Sequence, residues 1–513
     1  MEVSMSSKLL KSTSIFSLMT LISRILGFVR DMVIAHTFGA TGATDAFFVA
    51  FKIPNFLRRL FAEGSFSQAF IPVLAEYKER YAREEMQKFI NNTSGTLAGI
   101  LFVVTLIGII TAPVIIMLFS PGFPHDGTRF ELASYMLRIT FPYLFFISLT
   151  AFAGSVLNTH NHFLGPSLTP IFLNLTMIVA AIWLAPLFKE PIIALAWGVF
   201  IAGIIQLLFQ YPFLRYFRLV PRFKWGWADP GVKRILKLMV PALFGVSVAQ
   251  IGILVDTVIA SFLREGSITW LYNAERLMEF PLGVFGVALS TVVLPHLSRK
   301  HAANQQDEFM STMNWGLQTV LLVGVPSGIV LILLANPLMV CIFNYGRFTN
   351  FDSLMSAHAL MAFSIGVPFF MLVKILASGF YARQNIKTPV KIAVIALTTN
   401  VIFNFIFMVP LQHAGLALAS SLAAIVNAGG LFFLLRKNKI LELNSTWRSF
   451  MLQLVGANII LVGVILILSA PVTQWYSWNW HERYAHLLLI LGAAGIFYFA
   501  ALWLFGFRFV RKK

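Results

Sequence analysis

Apolar runs of about 20 residues recur from one end of this sequence to the other, and nothing of soluble-domain composition interrupts them. Backbone polar groups in hydrocarbon must bond within their own segment, so a chain of this kind folds as a bundle of spanning helices. Charged residues make up only 12% of the 513 positions, where soluble domains carry about 25%. Mean hydropathy is +0.79. The expected fold is an all-α polytopic membrane protein of fourteen spans, the first over residues 12–36 and the last over 484–507. No small-residue cleavage site follows the first apolar core, which is therefore expected to be retained.

Alternate connections hold nearly all the extramembrane Lys and Arg. One side collects Lys8 and Lys11, Lys78 to Lys88, Arg215 to Arg234, Arg299 and Lys300, Arg383 and Lys387, Arg436 to Arg448, and the terminal Arg511, Lys512 and Lys513. The other has Arg129, Lys189, Arg264, Arg347 and Arg483. By the positive-inside rule both termini are cytoplasmic. The same asymmetry accounts for much of the +18 formal charge through an anionic leaflet, with no nucleic acid required.

Residues 23 to 77 break the apolar pattern. Two segments long enough to span carry Arg24, Arg30, Asp31, Asp45, Lys52, Arg58, Arg59 and Glu63. A charge near the bilayer centre costs at least ~2.5–3.5 kcal/mol, so such groups normally face a bundle interior or a wet cavity and mark a substrate path. The excess is cationic, which predicts an anionic guest. At about 100° per residue Asp31 falls nearly in line with Arg24, while Lys52, Arg59 and Glu63 fall near the line of Asp45. Pro54 and Gly64 disturb the second helix, leaving either Arg58 or Arg59 as the inward residue. The competing reading is internal ion pairing, such as Arg24 with Asp31, that only holds helices together.

Prolines recur at offsets of 223 to 226 residues: Pro72 and Pro295, Pro113 and Pro337, Pro142 and Pro368, Pro166 and Pro389. Two parallel six-helix lobes related by an internal repeat are the simplest account. The expected N-lobe is 1–228, the C-lobe 229–440, and 441–513 a C-terminal helix pair without counterpart, suited to a lipid tail. In this register the Asp45–Arg59 helix corresponds to the span holding Glu275, Arg276 and Glu279, so both lobes would turn ionisable groups to one central cavity. Arg276 with Glu279 at i+3 is also a simple surface pair.

Asp256 stands alone among apolar neighbours, and Asn400, Asn404 and Ser420 lie on later spans. One carboxylate with neutral oxygens suits Na⁺ or a proton relay, and equally a polar cluster that packs helices. Lys374 is isolated in its span. His160 and His162 lack acidic neighbours, and the single Cys341 excludes an intrachain disulfide. No Walker phosphate loop, nucleophile elbow or HExxH pair occurs. Transport would then draw on a substrate gradient, an ion gradient or membrane potential.

The stretches SRILGFVRD and FGATGATDAFFVAFKIPNFLRRLFAEGSFSQAFIPVLAEY, with WLYNAERLMEFPLGVFGVAL in the second half, closely resemble the MurJ (MviN) family of lipid II flippases, over essentially the whole chain. The resemblance implies the multidrug/oligosaccharidyl-lipid/polysaccharide exporter superfamily. It implies movement of lipid II, undecaprenyl-diphosphate carrying the peptidoglycan disaccharide-pentapeptide, to the outer leaflet of the bacterial cytoplasmic membrane. The family's cavity arginines fall on Arg24, Arg30, Arg58 and Arg276, and its cavity carboxylate on Asp45; Lys52, Arg59 and Glu279 complete the expected substrate-binding set. A Na⁺ site of some members falls on Asp256, Asn400, Asn404 and Ser420, with Asn where a second Asp occurs in others. A monomer in the phospholipid bilayer is expected, with cell-wall synthesis proteins as further partners. The rival readings are a cation-coupled multidrug or other polyprenyl-lipid exporter, whose cavity for cationic drugs would be acidic or aromatic, a non-transporting scaffold for wall synthesis, and an enzyme on the lipid-linked precursor.

Overall fold

The computed structural model describes residues 2–125, 127–160, 162–443 and 446–507; within these, the side chains of 2–18, 20, 61–64, 241–242, 244–250 and 253 lie outside the description. The side chains of Lys8, Lys11 and Glu63, and the whole of the terminal Arg511 to Lys513, fall outside the description. Every described element is helical, with no strand among them. In chain order they are α1 (Glu2–Phe38), α2 (Gly42–Leu57), a π-helical segment (Arg58–Phe66), α3 (Ser67–Arg80), α4 (Arg83–Ile110), α5 (Ala112–Phe119), α6 (Thr128–Thr140), α7 (Tyr143–Thr159), α8 (Leu164–Val179), α9 (Ile193–Tyr216) and α10 (Pro230–Ala260). There follow α11 (Ser267–Pro281), a second π-helical segment (Leu282–Gly286), α12 (Val287–Ala302), α13 (Gln306–Leu333), α14 (Ala335–Phe343), α15 (Asn350–Ser364), α16 (Val367–Tyr381), α17 (Lys387–Phe407), α18 (Gln412–Lys437), α19 (Thr446–Leu468), α20 (Val472–Ser477) and α21 (Trp480–Leu504).

Eleven helices of the described residues are long and apolar enough to cross a membrane. The protein is thus an all-α, multi-pass membrane protein, and the expected fourteen spans are met in eleven on this criterion. The stretches beyond the eleven are α1, Gly42–Arg80 and α10: the first two carry the charges noted above, and all three include side chains outside the description.

By packing, the chain divides into two compact units, Met1–Gly266 and Ser267–Lys513. The division falls later than the repeat boundary at 228, because α10 packs against the first π-helical segment, α3, α4 and α5. Polar contacts tie it there at several heights: Arg234 to Glu76 at 2.8 Å, Lys52 Nζ to Thr257 Oγ1 at 3.2 Å, and Gly122 N–H to Ser261 Oγ at 3.0 Å.

Helix breaks fall at a nearly constant offset along the chain. The first unit has an α–π–α rod with its π turn starting at Arg58, and the second has one starting at Leu282, 224 positions on. The α4/α5 break at Thr111 recurs at Leu334, and the α6/α7 break at Phe141 and Pro142 recurs at Ile365 and Gly366. Proline is one cause. Pro54 has no N–H for the carbonyl of Ala50, and Thr140 Oγ1 of α6 donates to that carbonyl at 3.1 Å. The freed group is thereby satisfied inside the unit, as a carbonyl in hydrocarbon must be.

The second unit uses the same device to attach its C-terminal helices. Pro326 frees the carbonyl of Leu322 in α13, and Tyr498 of α21 donates its hydroxyl to it at 2.7 Å. Nearer one end Trp447 Nε1 donates to Asn314 Oδ1; at the other, the buried Arg483 donates to the carbonyls of Asn344 (3.2 Å) and Tyr476 (3.1 Å), closing the C-terminus of α14. The pair α19 and α21 is therefore fixed to α13 and α14 along its length. Tyr498→Phe is expected to lower stability by about 0.5–2 kcal/mol, the range for a buried hydrogen bond in such a setting. A lowered unfolding temperature of the solubilised protein checks this, and an unchanged one would show that the Leu322 carbonyl does not depend on Tyr498.

Candidate functional site

The described charged side chains of α1 divide into two that are engaged, Arg30 and Asp31, and one that is open, Arg24. Arg30 and Asp31 are 4% and 2% exposed. Arg30 Nη2 and Nε donate to Asp31 Oδ1 at 2.6 and 2.9 Å, and Nη1 donates to Asn174 Oδ1 of α8 at 3.1 Å. Asn174 in turn donates to the carbonyl of Ser23 at 3.0 Å, so one amide sets the rotation of α1 against α8. The carboxylate that the ion-pairing reading joined to Arg24 is held by Arg30 instead, whose guanidinium folds back on its neighbour and bonds Asn174 as well. Arg24 is exposed, with no hydrogen bond or ion pair among the described residues.

In the α–π–α rod of the first unit Asp45 lies in the first turn of α2, where a carboxylate is favoured by the helix dipole. It is 1% exposed, and its Oδ2 accepts the N–H of Gly266 at 2.7 Å. Gly266 sits at φ +89°, in the left-handed region glycine adopts freely. Around the same turn Arg129 faces Glu265 at 3.5 Å, and a Cβ on Gly42 would come within 3.0 Å of Arg129 Cδ. Asp45 therefore holds this end of the first unit in shape. Lys52 is half-buried on Thr257, as described. Arg58 Nε donates to Asn55 Oδ1 at 3.2 Å and is half-buried, whereas Arg59, one step into the π turn, is exposed. The wider π turn moves residues after Pro54 off the straight stripe drawn from α-helical geometry.

In the second unit Arg276 lies on α11, half-exposed, with Glu279 Oε2 at 3.8 Å and its guanidinium 5.7 Å from the Tyr272 ring centroid. A pair that open contributes little to stability. Lys374 on α16 is exposed. Asn404 Nδ2 donates to Asn400 Oδ1 at 3.1 Å, and Asn400 Nδ2 donates to Ser420 Oγ at 3.1 Å. As placed, Asn400 Oδ1 and Ser420 Oγ each accept an amide N–H, and the Asn400–Ser420 bond joins α17 to α18. Asp256 is a half-buried residue of α10 in the first unit. His160 Nδ1 meets the carbonyl of Val156 at 2.9 Å, His162 packs on Phe213 and Phe217, and burial lowers both imidazoles below their ordinary range.

The second unit also carries an apolar groove of about 490 Å³ along α19, walled by α13, α16 and α18. Leu317, Phe369, Leu376, Phe432 and Met451 line it, with exposed Arg448 at its edge. The groove thus involves the first helix of the C-terminal pair and three helices of the repeat. Sequence reasoning missed Asn174, Thr257 and Tyr498. Asn174 and Tyr498 each stand between apolar neighbours, and that was the available signal; Thr257 follows Asp256, and nothing local marked it.

A family model described as Lipid II flippase MurJ matches residues 34–485. A Vibrio cholerae serotype O1 protein described as "Probable lipid II flippase MurJ" is 45% identical, the alignment covering 99% of this chain and 98% of that one. The Burkholderia cenocepacia "Lipid II flippase MurJ" is 42% identical, with 96% of each covered. Among solved structures, a lipid II flippase MurJ in an inward closed conformation aligns with a TM-score of 0.79 at 31% identity, over 94% of this chain and 97% of that one. An inward-facing MATE-family multidrug transporter aligns with a TM-score of 0.68 at 12% identity, over 83% of this chain and 98% of that one, a likeness of fold alone.

Proposed function

The chain belongs to the MurJ family of lipid II flippases, and on that footing we propose that it moves lipid II from the inner to the outer leaflet of the bacterial cytoplasmic membrane, with open arginines taking the diphosphate. The observation that carries the assignment of roles is Arg24, an arginine in a helix otherwise fixed by Arg30, Asp31 and Asn174, left exposed and unpaired among the described residues. A diphosphate offers several oxygens to charge-assisted hydrogen bonds, and guanidinium presents a planar fork of donors to match. Arg58 and Arg59 follow on the π turn of the first unit, and Arg276 is the cation on the repeat-related rod of the second. Asp45, Lys52 and Arg30 act as positioning residues, each engaged inside the first unit. The apolar groove along α19 takes hydrocarbon of the prenyl tail.

Both termini are cytoplasmic in this reading, as the basic connections require. Each elementary charge carried across ~100 mV is worth ~2.3 kcal/mol. A potential positive outside draws the emptied cationic site back inward, and the anionic substrate offsets that charge on the outward stroke. The test is transfer of fluorescently labelled lipid II across vesicles holding the purified protein, with the potential set by a potassium gradient and then collapsed. Transfer that slows when the potential is removed is the expected result. Transfer indifferent to the potential would reject potential-driven resetting, and no transfer by folded protein that binds lipid II would reject the flippase reading for the chain acting alone.

A further inference from the structure

The first unit has a second groove, of about 410 Å³, that no step above uses. It lies among α4, α7 and α10, and Leu97, Leu101, Val104, Leu144, Ile235 and Met239 form most of its wall. Along α10 the lining runs from Val232 to Leu243, about 16 Å at ~1.5 Å per residue. That is half of a ~30 Å hydrocarbon core, the depth of one leaflet. A cleft of this depth and lining fits a single hydrocarbon chain entering from one side of the bilayer.

Its mouth is built from the segment 220–229. Trp227 lines the groove, and Trp225 stacks on Trp227 with ring centroids 6.1 Å apart. Paired indoles of this kind sit at headgroup level. The segment is tied to α4 by Arg222 N–H to Asn91 Oδ1 (2.8 Å), Gly226 N–H to Thr96 Oγ1 (3.0 Å), and Asn92 Nδ2 to Asp229 Oδ2 (2.9 Å). Two glycines of α4 make room for it: a Cβ on Gly95 would lie 2.1 Å from the carbonyl oxygen of Lys224, and one on Gly99 2.4 Å from the Trp225 ring. Arg222, Lys224, Lys233 and Lys237 are exposed around this mouth, and none has an ion-pair partner among the described residues. Of the carboxylates at hand, Asp229 caps α10 through Gly231 N–H at 2.8 Å and Glu76 is paired with Arg234 at 2.8 Å.

We propose that this groove binds one acyl chain of an anionic phospholipid, whose head is held by Arg222 and Lys224 beside the two tryptophans. The site shares no residue with the α19 groove or with the arginines assigned to lipid II. It depends on the preceding reading only for which leaflet supplies the lipid.

The experiment uses the full chain in phosphatidylcholine vesicles doped with phosphatidylglycerol carrying a photoactivatable diazirine on one acyl chain, with adducts mapped by peptide mass spectrometry. Adducts are expected between Thr93 and Val104 and between Val232 and Leu243. Ile100→Trp, which fills the groove, should reduce them several-fold. Removing two near-surface cations in the double variant Arg222→Gln, Lys224→Gln should reduce labelling roughly thirtyfold while leaving the groove open. Circular dichroism and gel filtration establish that both variants fold. Equal labelling by a phosphatidylcholine probe with the same chain would overturn the anionic-head assignment. Displacement of the probe by undecaprenyl diphosphate would give the groove to the substrate's chain and overturn the proposal. Absence of adducts at these helices, in intact protein, would overturn it outright. Because binding is read rather than transfer, failure here leaves the flippase assignment standing, and failure of transfer leaves this site standing.

Discussion

Arg24→Ala is expected to abolish lipid II transfer in vesicles while the protein inserts normally and unfolds at the unsubstituted temperature. Arg24 is exposed and has no partner among the described residues, so its removal strands no buried charge. The loss falls on the ligand. Two charge-assisted hydrogen bonds to a diphosphate, at about 1.5–3 kcal/mol each, correspond to a drop in affinity of about 100-fold or more. Arg24→Lys keeps the charge and loses the fork, so partial transfer is expected. The checks are lipid II binding to the purified variants and transfer under a set potential. Equal transfer by Arg24→Ala and the unsubstituted protein would reject the diphosphate role of Arg24.

The same reasoning separates this protein from its rivals. A scaffold for wall synthesis has no use for an arginine left without a partner among the described residues beside the fixed set Arg30, Asp31 and Asn174. A carrier of cationic drugs would place carboxylates in the open positions, whereas the described carboxylates of α1 and α2, Asp31 and Asp45, are both buried and engaged by protein groups. The likeness to a MATE-family transporter at 12% identity is one of fold and carries no statement about cargo.

Much of the fold was legible because proline and glycine punctuate helices wherever they fall. The regular spacing of Pro72 and Pro295, and of Pro142 and Pro368, has a counterpart in helix breaks that fall at offsets of 223 and 224 residues. The positions of the charges were legible for the same reason: apolar spans leave them conspicuous. Their partners were not. Whether Asp31 meets Arg24 or Arg30 depends on side-chain reach and on how α8 is rotated to present Asn174, neither of which a periodicity contains. The stripe through Asp45, Lys52 and Arg59 assumed a continuous α-helix, and the π turn at Arg58 alters the angle at the point where the choice between Arg58 and Arg59 had to be made. The polar attachments of α10 to the first unit pass through side chains as ordinary as Thr257 and Ser261, whose partners no local pattern singles out.

Arg30→Ala should behave in the opposite way to Arg24→Ala. Its removal leaves the Asp31 carboxylate 2% exposed and without the guanidinium that holds it at 2.6 Å, and it removes a donor from Asn174. Breaking a buried pair from one side costs about 3–5 kcal/mol, a large share of the about 5–15 kcal/mol that separates folded from unfolded protein. Low yield and a sharply lowered unfolding temperature in detergent are expected, with any loss of transfer secondary to them. Replacing a buried pair by apolar side chains of similar volume is often neutral or stabilising, so the double variant Arg30→Met, Asp31→Leu should recover much of the lost stability. If it folds and transfers lipid II, Arg30 is a positioning residue that sets α1 against α8. If it folds as well as the unsubstituted protein and transfers nothing, Arg30 takes part in transport itself, and the division drawn here between engaged and open arginines fails.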